Sequence, residues 1–178
     1  MVVLNTLRSL LMGFAFAALS SSAFAQEGGA FPNGATSLQE AYQDWLVSCA
    51  ITDAGKQCAL SQQQAQENGQ RILAVELVVA ADGAVSGSLV LPFGLALDAG
   101  VALQVDEQVA LPPLRFSTCF PVGCLVRLNL DQQLLTELRG GTALTIDVTV
   151  DGTNQPAALS VSLKGFAAAL DRTQLLSQ

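Results

Sequence analysis

Histidine is absent from this chain of 178 residues. That absence removes the Ser-His-Asp and Cys-His constellations and the usual zinc sites together. No G-x-S-x-G elbow, P-loop or G-x-G-x-x-G run is present. Lys56 and Lys164 are the only lysines, and neither stands in an S-x-x-K arrangement. Charge is scarce as well: 13% of residues are Asp, Glu, Lys or Arg, with a net charge of -7. Such a surface repels phosphate, so nucleic acid is excluded as a partner.

Long hydrophobic runs are also few. The opening "MVVLNTLRSLLMGFAFAALSSSAFAQ" has one basic residue, Arg8, an apolar run through Leu19, and small residues ending in Ala23-Phe24-Ala25. The run is shorter than the roughly 20 residues of a membrane-spanning helix. It matches a secretory signal peptide over residues 1–25, cleaved near Ala25 before Gln26. The mature chain is then expected to be periplasmic or secreted and to contain no transmembrane segment. Residues 26–41, rich in Gly, Pro, Asn and Ser, read as a flexible leader, and residues 42–178 as a single domain.

Hydrophobic periodicity over that region is two rather than 3.6. Trp45, Val47 and Cys49 alternate with Asp44, Leu46 and Ser48, and in "TALTIDVTV" Leu144, Ile146, Val148 and Val150 oppose Thr145, Asp147 and Thr149. The segments "KQCALSQQQA", "RILAVELVVA", "AVSGSLVLPF", "VALQVDEQV" and "GCLVRLNL" are further strands, separated by turn signals such as Asn68-Gly69, Asp82-Gly83 and Asp151-Gly152. The pattern predicts an all-β fold, an antiparallel β-sandwich-like domain. An outer-membrane barrel would need longer, uninterrupted strands with a lipid-facing band. Two segments depart from the period and predict short peripheral helices that cover edges or ends of the sheets. One is "DQQLLTELRGG", with Asp131 as N-cap and Gly140 as the stop; the other is "LKGFAAALDRTQLL", with Phe166, Leu170 and Thr173 on one side.

Few side chains carry candidate chemistry. Asp106 and Glu107 are adjacent, but neighbours on a strand point to opposite faces and cannot act together as acid and base. "SQQQAQENGQ" reads as an exposed edge strand running into a hairpin tip. Trp45, in phase with Val47 and Cys49, belongs to the core. Neither catalytic residues nor a cofactor or metal is expected.

The cysteines carry the strongest signal. Cys49, Cys58, Cys119 and Cys124 form an even set in an exported chain, which favours disulfides. Residue counting alone leaves three pairings open. "CFPVGC" lacks the C-x-x-C spacing and βαβ context of a redox motif, and a four-cysteine zinc site would need two short-spaced pairs. The expected links are Cys49 with Cys58 and Cys119 with Cys124, because each closes a short turn-containing loop. Loops of that size contribute about 2 to 3 kcal/mol each in the chain-entropy model. The tip "FPVG" inside the second link makes Phe120 and Val122 the candidate partner-binding residues.

The ordered set "DWLVSC", "KQCALSQQ", "LPFGLALDAGVALQVDE", "CFPVGC", "LLTELRGG" and "LKGFAAALD" resembles the invasion-associated locus B family of alphaproteobacterial exported proteins, over residues 42 to 172. The chain departs from that family in an extra proline in "LPPLRFSTCF" and a short tail after Asp171. The resemblance implies a β-rich exported domain, linked in pathogens to entry into host cells, and supplies no catalytic residues. The expectation is a non-enzymatic binding protein of the bacterial envelope whose partner is a protein or an envelope component. The alternative is a periplasmic envelope-maintenance or chaperone-like factor.

Overall fold

The computed structural model describes Phe31 and residues 34–69, 71–80 and 82–178. The expected signal peptide over residues 1–25 lies outside them. Among the described residues, ten strands form two antiparallel sheets. The larger has seven strands in the order β1-β2-β3-β4-β5-β8-β7, and the smaller has three in the order β10-β9-β6. In chain order these are β1 (Ser37–Tyr42), β2 (Trp45–Thr52), β3 (Gly55–Ala65), β4 (Arg71–Val79), β5 (Val85–Leu91), β6 (Ala102–Val105), β7 (Phe116–Phe120), β8 (Gly123–Leu130), β9 (Ala143–Thr149) and β10 (Pro156–Ser162). Helix α1 (Gln132–Gly140) follows β8, and α2 (Phe166–Leu176) follows β10.

Alternation decides which face each strand buries. Val47, Leu60, Leu77, Leu89 and Val126 of the large sheet meet Leu103, Ile146 and Val161 of the small one in a shared core. The antiparallel sandwich with two short helices is the expected architecture. The placement of α2 goes further than the sequence suggested. Seven strands at about 4.8 Å span roughly 29 Å, and three strands cover only about a third of that. Helix α2 fills part of the remainder, packing against β1, β2, β3 and β4 and burying Phe166, Ala169, Leu170 and Thr173. It is therefore a layer of the core and not a cover for an edge.

A glycine makes that packing possible. Gly165 caps α2 with φ of 86°, and a Cβ there would collide with the Tyr42 carbonyl oxygen. Only glycine adopts this conformation freely and lets the two backbones approach. For α1, the Asp131 side chain accepts a hydrogen bond from Leu134 N at 2.8 Å, as an N-cap should. The helix continues through Gly140, and Gly141 is the capping residue.

Three other expectations require correction. Residues 37–41, assigned to the leader, belong to β1, which pairs with β2 from Ser37↔Ala50 to Tyr42↔Trp45. The Gly, Pro and Asn residues before them drew the boundary too late. The glutamine run is not on an edge: β3 lies between β2 and β4, and Gln62 is buried. Asp106 and Glu107 follow the end of β6 in a turn. Asp106 has φ of 48°, and its carboxylate accepts from Thr142 N and Ala143 N, bracing the start of β9.

Candidate interaction surface at the disulfide-closed hairpin

The hairpin of β7 and β8 places Cys119 opposite Cys124 and Phe120 opposite Gly123, leaving Pro121 and Val122 as the turn. The Cys119–Cys124 bond closes it, with an S–S distance of 2.00 Å. Proline suits the first central position of a tight turn because its φ is already restricted. Gly123, with φ of 135°, lies so close to Leu91 O that any Cβ would strike it. The hairpin end is therefore held against β5 on one side and by its own disulfide on the other.

Where β5 ends at Leu91, opposite Cys124, the chain leaves the large sheet through Pro92, Phe93 and Gly94. It reaches the small sheet at Leu95, bridged to Val150, and makes a 3-10 turn over Leu97–Ala99. Leu97 and Asp98 then face Arg115, Phe116, Ser117, Thr118 and Cys119 across a surface cleft of about 250 Å³. This topology brings four large apolar side chains to one end of the sandwich. Phe93 is 61% exposed, Leu97 44%, Phe120 53% and Val122 59%. Scattered apolar residues are normal on a surface, but a cluster on a constrained frame is the usual mark of an interaction site.

Strand β7 is one edge of the seven-stranded sheet, beside this cluster. Its register shifts between Phe116 and Thr118, and Ser117 Oγ donates to Leu125 O at 3.0 Å. A bulge on a short edge strand disfavours indiscriminate strand addition.

The structure places Phe120 and Val122 on the surface, as the sequence suggested, and adds Phe93 and Leu97. Phe93 escaped sequence reasoning because "LVLPF" continues the apolar run of β5, and Leu97 because its place beside β7 is set by the chain's crossing between sheets. The signal available was Pro92, which ends a strand readily. The other link, Cys49–Cys58, joins β2 to β3 at 2.03 Å and is buried beneath Phe31 and Ile51. Trp45 is in the core, its ring 5.0 Å from that of Phe166 in an edge-on arrangement.

Ionic contacts brace the fold elsewhere. Arg172 of α2 donates from Nε and Nη2 to the two Glu40 carboxylate oxygens, each at 2.7 Å. Tyr42 Oη donates to the same group at 2.9 Å. The Arg172 hydrogen bonds hold the Glu40 carboxyl below the usual carboxylate range. Burial, then the Glu40 bond, pushes the Tyr42 hydroxyl up. These groups tie β1 to α2. Among the described residues, no group of three or more His, Cys, Asp or Glu side chains is placed to hold a metal ion.

Residues 45–174 match the model of the family described as Invasion associated locus B (IalB) protein. The chain belongs to this family. It is 44% identical over 173 residues to an invasion protein B homolog of Brucella abortus (strain 2308), covering 96% of this chain and 98% of the relative. It is 34% identical over 175 residues to invasion protein B of Bartonella bacilliformis, covering 92% and 94% of the two chains. The crystal structure of invasion associated protein b from Bartonella henselae superposes with a TM-score of 0.74 at 35% identity, covering 78% of this chain and 96% of that one. Among the described residues of this family member, no helix is long and apolar enough to cross a membrane.

Proposed function

We propose that this protein is an exported, non-enzymatic binding protein of the bacterial envelope that serves host-cell invasion by engaging a protein or envelope component through the Phe93, Leu97, Phe120 and Val122 end. The observation that carries the reading is the exposure of these four side chains on a frame closed by Cys119–Cys124. A constrained tip loses little conformational entropy when it meets a partner, so its apolar area converts efficiently into affinity. Two disulfides fit an oxidising compartment and an exported chain. The invasion-related names of the relatives supply the biological direction.

The test is cross-linking and pull-down from intact cells with the wild type and with a Phe120→Ser/Val122→Ser variant. The reading expects partner capture to fall at least fivefold while thermal stability stays nearly unchanged. Undiminished capture overturns this surface as the binding site, and a collapse of stability assigns the two side chains to structure. N-terminal sequencing of the envelope form should begin near Gln26; retention of Met1 would sink the export step.

A further inference from the structure

Between the sheets, remote from the hairpin tip, lies an apolar cavity of about 70 Å³. Its deep wall is made by Trp45, Leu77, Leu103, Leu144, Val161 and Phe166, all buried. Solvent exposure is confined to five of its lining residues. Leu111 and Leu114, in the loop after β6, and Leu130 and Leu134, at the junction of β8 and α1, are each half-buried, and Asn129 beside them is exposed. Those four leucines frame a mouth.

From this geometry we infer that the cavity is a binding site for the end of an unbranched alkyl chain carried by a neutral amphiphile. Close packing leaves few voids in an interior, and an apolar void of this kind stays dry. Its volume is roughly half the ~150 Å³ of an engineered cavity that binds benzene. A chain terminus of a few methylenes matches that space better than a ring. A wall without an ionisable side chain offers nothing to a buried head group, which stays at the mouth near Asn129. Asp131, next to Leu130 in the chain, and the net charge of -7 disfavour a carboxylate there.

Hexanol is the probe, followed by leucine and valine methyl NMR on the whole protein. Saturable shifts are expected at Leu103, Leu128 and Leu144. Across the series from butanol upward, affinity should rise by about fourfold per methylene and then level off once the cavity is full. Leu144→Phe, which fills the void, and Leu134→Trp, which closes the half-buried mouth, should each weaken hexanol at least tenfold. The second variant keeps the test decisive where the first disturbs folding. Shifts confined to Leu97 and Val122, or full affinity in Leu134→Trp, would overturn the site. Hexanoate binding as tightly as hexanol would overturn the neutral head group. Phosphatidylcholine vesicles separate the sources: the same methyl shifts with vesicles assign the chain to a bilayer lipid, and shifts with hexanol alone assign it to a free amphiphile.

Discussion

Gln62 and Ser162 hold each other by two hydrogen bonds across the gap between the sheets. Gln62 Nε2 donates to Ser162 O at 2.9 Å, and Ser162 N donates to Gln62 Oε1 at 3.1 Å. Trp45 Nε1 donates to the same carbonyl at 2.8 Å, and Gln64 Nε2 donates to Ser160 O at 2.6 Å. Strand β10 is an outer strand of the small sheet, with a row of backbone groups lacking a neighbouring strand. Side chains from β2 and β3 meet that row at Ser160 and Ser162 and close the sandwich there. Replacing Gln62 by leucine should cost about 1 to 3 kcal/mol, because Ser162 N and part of the demand of its carbonyl would be left unmet in a half-buried setting. Urea unfolding measures the loss, and a change below about 0.5 kcal/mol would mean that water replaces the amide.

Gly165→Ala should destabilise by about 2 kcal/mol or more, since it combines a left-handed conformation with a collision against the Tyr42 carbonyl. Alanine at Gly152 offers a comparison: φ is 76° there, but the added Cβ meets nothing within 4 Å. The difference in unfolding midpoint between the two variants isolates the collision from the backbone conformation.

The Glu40–Arg172 pair predicts the sign of a pH effect. The Glu40 carboxyl titrates lower in the folded protein than in the unfolded chain. Its contribution is therefore present above the unfolded value of about 4.3 and is lost as pH falls through the lower, folded value. Arg172→Gln should flatten the acid limb of a stability-against-pH curve between about pH 5 and 3. Tyr42 has the opposite sense: its raised value makes its contribution present below about pH 10 and lost as pH rises through the folded value. Tyr42→Phe should remove that alkaline loss. Chemical denaturation across pH measures both limbs.

The two disulfides should differ in access. Cys119 is exposed on the edge strand β7, whereas Cys49 and Cys58 are both buried with Phe31 beside them. Under a mild dithiol, alkylation and peptide mapping should find Cys119 and Cys124 reduced first. Replacing either pair by serine should cost about 2 to 3 kcal/mol. Simultaneous reduction of both links would show that the core opens as readily as the edge.

Much of the fold was legible because local physics dictates it. In β9 and β2 one face is buried, so apolar residues must recur at every second position, and Leu144, Ile146, Val47 and Cys49 do so. The cap at Asp131 was legible for a similar reason: its hydrogen bond spans three residues. At the hairpin end, "CFPVGC" announced a closed turn with Phe120 and Val122 at its tip, since the cysteines are five positions apart.

What lay beyond the sequence depends on partners far along the chain. Gln62 and Ser162 are 100 residues apart, so a polar run on β3 looked like a solvated edge until β10 was seen beside it. Phe93 and Leu97 join Phe120 only because β5 pairs with β8 and the chain then crosses between sheets. Strand identity, turn positions and the short-range disulfides are properties of neighbouring residues, and the sequence by itself determined them. The burial of α2, the sealing of β10, the cavity under the mouth of leucines and the assembly of the exposed apolar end were decided by tertiary structure. They arise from which surfaces a seven-stranded sheet and a three-stranded sheet leave uncovered when packed together.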